Sequence, residues 1–410
     1  MTTLQQWLAI VGKIHGKDID MGLERVKTVA EKMNLLHWGC PVILVGGTNG
    51  KGSTTSLLET IYVQAGYKTG CVTSPDLLRY NERIRVNGVE ASDEIICEAF
   101  AAIETQRDAI TITFFEFNVL AALYIFKQQP LDVLILEIGM GGRLDACNII
   151  EPDLSIITTI ALDHMDYLGD TREKIAVEKA GILRNNKPAV IGELNPPSTL
   201  LDYIRTHNLD AVFNKQDFNW IEHETDWQWQ SNNTHYTQLP KPKILLQNAS
   251  TVLAAIEKLQ AKLPVTLDAI KQALKIIAIP GRFEIHNSFG KTIIFDVAHN
   301  PESCGALAYN LKKHYPNTRF SAVFSMLKGK DIMDSLNQLK PLISEWHIAA
   351  LPHERGLDLS SLEEVFKKQD LKKYRCYSSI ETAYESALKT SDNIVIFGSF
   401  VTVASIKRVI

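Results

Sequence analysis

Val45-Gly46-Gly47-Thr48-Asn49-Gly50-Lys51-Gly52-Ser53-Thr54 is the stretch on which the fold turns. The apolar run Pro41-Val42-Ile43-Leu44-Val45 leads into it as a buried strand would. From Ser53 to Gly66 the spacing of Leu57, Leu58, Ile61 and Ala65 is helical. Strand, glycine-rich turn, Lys, Ser/Thr and helix is the layout of a phosphate-binding loop. Glycines let backbone N–H groups curl around an anion, the helix N-terminus adds partial positive charge, and the Lys reaches the outer phosphates. The stretch departs from G-x-x-x-x-G-K-[ST] because Gly52 separates Lys51 from Ser53. The alternative reading is a flexible glycine turn with no ligand. The Lys and two hydroxyls at helix-start positions speak against it.

Outward from this loop, Asp132-Val133-Leu134-Ile135-Leu136 and Leu154-Ser155-Ile156-Ile157-Thr158-Thr159-Ile160 are near-continuous apolar runs. Such runs suit strands buried on both faces, hence a mostly parallel sheet covered by helices. Thr69-Gly70-Cys71-Val72 reads as a further strand. Helical patterns fall at 22–34, 92–108, 116–128, 171–183 and 248–262. The segment 213–243 changes character, with Trp220, Trp227, Trp229 and Asn232-Asn233-Thr234. It reads as either a small antiparallel excursion or a long loop closing at Pro240-Lys241-Pro242. A second alternating block starts near residue 290, with strands predicted at 292–297, 320–324, 346–350 and 393–397. The expected class is α/β: an N-terminal P-loop domain with a mostly parallel sheet (1–282) and a smaller, doubly wound Rossmann-like domain (283–410). Ile279-Pro280-Gly281-Arg282 marks the junction.

Composition narrows the function classes. The chain has 410 residues, 45% apolar and 22% charged, with a formal net charge of −4. This is an ordinary globular balance with no long basic run, so nucleic-acid binding is not expected. Cys40, Cys71, Cys97, Cys147, Cys304 and Cys376 are scattered and form no CxxC pair, which suits reduced thiols in the cytoplasm. Met1-Thr2-Thr3-Leu4-Gln5-Gln6-Trp7 lacks the basic start and apolar core of a signal peptide. No apolar run approaches the roughly 18 residues of a membrane span, so no membrane partner is expected.

Polar groups at strand ends carry the chemistry. Glu137 follows Val133–Leu136 and precedes Gly139-Met140-Gly141-Gly142-Arg143. A carboxylate there faces the crevice where ligands bind, and a divalent cation held beside ATP needs such oxygens. The alternative is a carboxylate that only caps the turn. His164, in Asp163-His164-Met165-Asp166, follows the run at 154–160, and Asp163 and Asp166 are placed to orient its imidazole. Ser74, in Thr73-Ser74-Pro75-Asp76, ends a strand and offers a hydroxyl. Lys179, read alone, is a solvated lysine. Asp296-Val297-Ala298-His299-Asn300-Pro301 clusters an acid, an imidazole and an amide at a strand end, and Arg282 at the junction is placed to reach a phosphate. No Ser-His-Asp, Cys-His or G-x-S-x-G pattern suggests a protein nucleophile.

Taken together, Gly47–Ser53, Thr73-Ser74-Pro75, Arg79-Tyr80-Asn81-Glu82-Arg83-Ile84, Glu137–Ala146, Asp163-His164 through Gly169, Glu178-Lys179-Ala180-Gly181, Pro280-Gly281-Arg282 and Asp296–Pro301 resemble the folylpolyglutamate synthases. The nearest resemblance is to the bacterial bifunctional dihydrofolate synthase/folylpolyglutamate synthases of the Mur ligase superfamily. The motifs run in family order along nearly the whole chain. One departure is Asp76, where many bifunctional members carry His.

The resemblance implies that Gly47, Thr48, Asn49, Gly50, Lys51, Gly52 and Ser53 wrap the ATP phosphates. Asn248, Arg282 and Asp296 would also contact ATP. It implies Mg2+ at two sites, held by Ser74, Glu137, His164 and a carbamylated Lys179. That reverses the solvated reading of Lys179 on resemblance alone. The pterin side would be lined by Asp20, Met21, Gly22 and Leu23, by Thr113, Phe114, Phe115 and Glu116, and by Leu144, Asp145 and Ala146. Read without the family, Phe114 and Phe115 are core residues.

The implied activity is ATP-dependent addition of L-glutamate to dihydropteroate and to reduced folates through an acyl phosphate, by a monomer. Lys51 offsets charge on the transferring phosphoryl group. Asp296 and His299 are both open as the base for the glutamate amine. Three other readings stand beside this one. They are a folylpolyglutamate synthase without the first activity, a muramyl-peptide ligase, and a P-loop switch NTPase. The loop's start at residue 47 leaves little room for the N-terminal domain of a muramyl ligase. Gly52 and the absence of an NKxD-type motif count against the switch.

Overall fold

Strand β1 (Val42–Gly46) is buried at every residue because it is the inner strand of a sheet covered on both faces. The computed structural model describes residues 2–17, 19–288 and 290–410; Met1, the first residue of the N-terminal stretch, lies outside the described residues with Asp18 and Phe289. The chain packs into two units, Met1–Ile277 and Ala278–Ile410.

In the first unit the other strands are β2 (Thr69–Val72), β3 (Ile84–Val86), β4 (Val89–Glu90), β5 (Val133–Glu137), β6 (Leu154–Ile157), β7 (Ala189–Ile191) and β8 (Ala211–Phe213). Their order in the sheet is β4-β3-β2-β5-β1-β6-β7-β8. β2, β5, β1, β6, β7 and β8 run parallel, as the continuous apolar runs predict. β3 and β4 form an antiparallel hairpin at one edge. The Asn87-Gly88 turn between them has both residues at positive φ, 54° and 75°, the conformation a two-residue hairpin needs.

The helical patterns fall where expected, with ends set by capping. The helix predicted at 116–128 spans Phe114–Lys127, because Thr113 and Glu116 form a capping box. The one predicted at 171–183 spans Arg172–Ala180 behind the Thr171 N-cap. The helix after the glycine loop starts at Lys51 and ends at Gln64. The strand predicted at 154–160 stops at Ile157, because Thr158, Thr159 and Ala161 turn polar groups toward the loop after β1.

The tryptophan-rich segment is the antiparallel excursion, not a loop. β9 (Phe218–Glu222), β10 (Asp226–Ser231) and β11 (His235–Pro240) pair in the order β11-β10-β9. Trp227 and Trp229 are fully buried. The Trp229 indole N–H donates to Ser250 O at 3.1 Å, which pins this small sheet to the helix Leu246–Leu259.

The second unit holds β12 (Glu284–Ser288), β13 (Lys291–Phe295), β14 (Phe320–Phe324), β15 (Ile343–Ala349), β16 (Tyr374–Tyr377) and β17 (Asn393–Phe397), in the order β12-β13-β17-β14-β15-β16. All but the β12–β13 pairing are parallel. Its core centres on Phe324, Trp346, Phe366 and Phe397, whose rings lie 5.0–6.1 Å apart. Among the described residues, no helix is long and apolar enough to cross a membrane.

Candidate active site

The loop after β1 is built on two glycines that no other residue replaces. Gly47 has φ +144°, and a Cβ there would lie 1.8 Å from Thr158 Oγ1. Gly50, the N-cap of the helix Lys51–Gln64, has φ +84°, and a Cβ would lie 2.5 Å from Asn248 Oδ1. Asn248 is buried, so the structure seats it directly against the loop. Lys51 Nζ donates to the carbonyls of Gly47 and Thr48, both at 3.1 Å. The chain leaving β6 frames the loop from the other side. Thr48 N donates to Thr159 O at 2.8 Å, Asn49 N to Thr159 Oγ1 at 3.1 Å, and Thr158 Oγ1 to Asn49 O at 2.7 Å.

Glu137 ends β5, the neighbour of β1, and is 3% exposed. The Ser74 backbone N–H donates to its Oε2 at 3.2 Å. A Cβ on Gly52 would sit 3.6 and 3.8 Å from the two Glu137 oxygens. The glycine that breaks the usual loop pattern therefore keeps the space beside this carboxylate open. Glu82 organises the segment after Ser74 by accepting the N–H groups of Leu77, Leu78 and Arg79 at 2.7–2.9 Å. Asp76 pairs with Arg83 at 2.6 Å, and the Arg83 guanidinium lies 5.3 Å from the Phe114 ring centre and 5.7 Å from that of Tyr80.

His164 follows β6 in a left-handed conformation, φ +50°, at the head of the short helix Met165–Leu168. Its Nε2 is 4.0 Å from Asp163 Oδ1. Asp166, the other acid expected to orient the imidazole, is exposed. Lys179 is 2% exposed, so the solvated reading from the residue alone is wrong. The helix carrying it presses on the turn after β5, where a Cβ on Gly142 would come 3.1 Å from Lys179 Cα. Among the described residues, no three His, Cys, Asp or Glu side chains gather into a metal site. The predicted set contains only Glu137 and His164 of those types. A hydroxyl, a carboxylate and an imidazole leave coordination positions for water and phosphate, which is how Mg2+ is usually held. A Cβ on Gly52 would be in contact with both Glu137 oxygens, so the glycine leaves that carboxylate approachable by such an ion.

The residues expected on the pterin side converge. Arg25 bridges Asp20 Oδ2 at 2.8 Å and Glu116 Oε1 at 3.3 Å. Met21 and Leu168 both approach Gly141, and the Phe115 ring lies on Gly139. Gly22, Leu23, Phe114, Phe115 and Leu144 are half-buried, while Thr113, Asp145 and Ala146 are buried. Phe114 and Phe115 thus sit at the edge of the core, packed against it and half-buried. Asp145 accepts the N–H groups of Met140 and Cys147 at 2.9 and 3.0 Å, and burial pushes its carboxyl up to about 6.

In the second unit Asp296 follows β13. Its Oδ2 accepts from Phe283 N at 2.9 Å and its Oδ1 from Ala298 N at 2.8 Å. Burial raises its pKa to about 6, against the pull of Arg282. The Arg282 guanidinium lies 5.1 Å from the Phe400 ring centre. His299 Nδ1 lies 2.8 Å from Val297 O, a hydrogen bond when Nδ1 carries a proton. Ser399 was missed from the sequence. It caps the helix Phe400–Lys407 at the end of β17, beside Gly398, whose φ of +115° brings the backbone onto Ser325 O. The Gly-Ser pair after an apolar run was the available signal. Arg25, which ties Asp20 to Glu116, had no sequence signal.

The comparisons with known proteins fall on this geometry. Residues 45–251 match the Mur ligase middle domain, and residues 281–400 match the Mur ligase glutamate ligase domain. The chain is 41% identical to the dihydrofolate synthase/folylpolyglutamate synthase of Escherichia coli, over 99% of this chain and 95% of that one. It superposes with a TM-score of 0.94 on Escherichia coli FolC in complex with DHPP and ADP, at 39% identity, covering 99% of this chain and 97% of that one. A bifunctional folylpolyglutamate synthase/dihydrofolate synthase with Mn, AMPPNP and L-glutamate bound gives a TM-score of 0.92 at 40% identity, covering 100% and 98%.

Proposed function

The chain belongs to the dihydrofolate synthase/folylpolyglutamate synthase family of Mur ligases, and from that premise we propose that it is an ATP-dependent ligase. It adds L-glutamate to dihydropteroate, giving dihydrofolate, and to reduced folates, giving γ-polyglutamates. One observation carries this reading: a glycine phosphate loop, a buried carboxylate and a lysine packed at adjoining strand ends of one sheet, with the Asp20–Arg25–Glu116 and Phe115 surface on the same unit.

In this assignment the N–H groups of residues 47–53 hold the ATP phosphates, and Lys51 exchanges the Gly47 and Thr48 carbonyls for phosphate oxygen. Asn248, Arg282 and Asp296 contact the nucleotide. Ser74, Glu137, His164 and a carbamylated Lys179 hold divalent cations at two sites. A cation there neutralises charge on the phosphoryl group being transferred. The substrate carboxylate attacks the γ-phosphate, ADP leaves, and the glutamate amine displaces phosphate from the acyl phosphate.

Residues 20–23, 113–116 and 144–146 bind the pterin and aminobenzoyl rings, with Phe114 and Phe115 supplying flat apolar surface. Asp296 and His299 both stand as candidates for the amine's base; both Asp296 oxygens already accept backbone N–H groups. We assign the N-terminal unit to ATP and pterin binding and the C-terminal unit to glutamate ligation. We also propose that the enzyme works as a monomer in the cytoplasm, which its six free cysteines support.

The test is ADP release with Mg-ATP and L-glutamate, adding dihydropteroate or tetrahydrofolate, with products identified by mass. Turnover with both is expected. Turnover with tetrahydrofolate alone reduces the assignment to folylpolyglutamate synthase, and turnover with neither overturns it.

A further inference from the structure

Glu193 lies two residues beyond β7 and is 7% exposed. Its Oε2 accepts the Ile160 N–H at 2.7 Å. Its Oε1 accepts the Asn195 N–H at 2.9 Å and lies 3.2 Å from Arg172 Nη2. Arg172 completes the arrangement: Nε donates to Ile160 O at 2.7 Å and Nη2 to Asn195 O at 2.9 Å. One ion pair therefore holds both the N–H and the C=O of Ile160, and both the N–H and the C=O of Asn195. The next residue in the chain, Ala161, gives its N–H and its C=O to a single atom of the phosphate loop, Thr48 Oγ1, at 3.0 and 3.2 Å. The segment leaving β6 is fastened at two consecutive residues before it turns into Asp163-His164.

Arg172 is also the first residue of the helix that carries Lys179. Seven residues are two helical turns, so the two side chains leave the same face. A cation at the first helical position opposes the helix dipole. An ion pair whose arginine is 39% exposed is moreover weak evidence of stabilisation, because solvent screens it. A residue that breaks a local rule and pairs with a buried carboxylate is better explained by placement than by stability.

We propose that Arg172 and Glu193 are positioning residues. Together they set His164 and the Lys179 helix against the phosphate loop, without touching substrate. This rests on the reading of His164 and Lys179 as cation-side groups given above. Glu193→Gln replaces one acceptor oxygen with an N–H2 group facing donors. Arg172→Lys keeps the charge but cannot bridge two carbonyls and a carboxylate.

The experiment measures Mn2+ affinity by electron paramagnetic resonance, amide exchange at Ile160–His164, and KM for Mg-ATP and for glutamate, in both variants and in His164→Ala. We expect Mn2+ affinity to fall about 10-fold or more, as for other residues that orient metal ligands. Exchange should quicken at 160–164 only, the KM for Mg-ATP should rise, and the KM for glutamate should stay within about twofold. Unchanged Mn2+ affinity with unchanged exchange overturns the proposal. So does exchange quickened uniformly through the sheet, which marks a purely structural pair. If Glu193→Gln fails to fold, Arg172→Lys decides. His164→Ala separates the two levels: wild-type Mn2+ affinity there overturns the cation-side reading itself. Lowered affinity there with wild-type affinity in the clamp variants overturns the clamp alone.

Discussion

The backbone N–H of Ser74 donates to Glu137 Oε2 at 3.2 Å, so one buried carboxylate ties the end of β2 to the end of β5. A Cβ on Gly52 would touch both of its oxygens. Glu137→Gln keeps this shape and removes the charge. We expect kcat to fall on the order of 10²-fold or more, the several kcal/mol a bound cation supplies, with melting temperature little changed. A magnesium titration of turnover checks it. Wild-type kcat at saturating magnesium would remove Glu137 from the cation site.

Gly50→Ala tests the phosphate loop. A left-handed φ costs a non-glycine residue about 1–2 kcal/mol, and the new methyl group would collide with Asn248. ATP affinity measured by calorimetry should drop at least tenfold. The fold should survive, since the strain sits in a loop at the sheet edge.

Lys179 gives a third test. Its side chain is buried, and a carbamate there would form by addition of CO2 to the amine with loss of a proton. Turnover should decline in CO2-depleted buffer and recover with bicarbonate, and Lys179→Ala should be inactive yet folded. Full activity in that variant, or indifference to bicarbonate together with an unmodified intact mass, rules out the carbamate.

Asp145 links stability to pH. Burial raises its pKa from 3.8 to about 6 in the folded chain. Between those values the folded state keeps a proton that the unfolded state has released. The contribution of Asp145 to stability is therefore greatest below pH 4, and it is lost as pH rises through 6. The stability of the wild type minus that of Asp145→Asn should fall by up to about 3 kcal/mol from pH 4 to pH 7. Denaturant titrations at several pH values measure this difference. A flat difference would mean that the carboxyl ionises normally.

What could be read from the sequence follows from where the signal is local. β5, β14 and β17 are short apolar runs because parallel strands are buried on both faces, and their limits were readable within a residue. The β3–β4 hairpin was missed although Asn87-Gly88 announces it, because its strands are too short and exposed to show a pattern. Lys179 was misread in isolation. The helix Arg172–Ala180 is polar overall, and only packing against Gly142 reveals that the lysine points inward. Arg172 and Glu193 pair across 21 residues and Arg25 reaches Glu116 across 91, and no local residue pattern encodes such pairings.

The central place of β1 also bears on how the chain assembles. Val42 pairs with Leu134 on one side and Ile43 with Leu154 on the other. During synthesis the loop after β1 is made early, yet β1 has no neighbour until roughly ninety further residues have been added for the first pairing and more than a hundred for the second. Pairing at such separations makes folding slow and leaves apolar strands waiting. The loop is thus translated early and seated only after more than a hundred further residues exist.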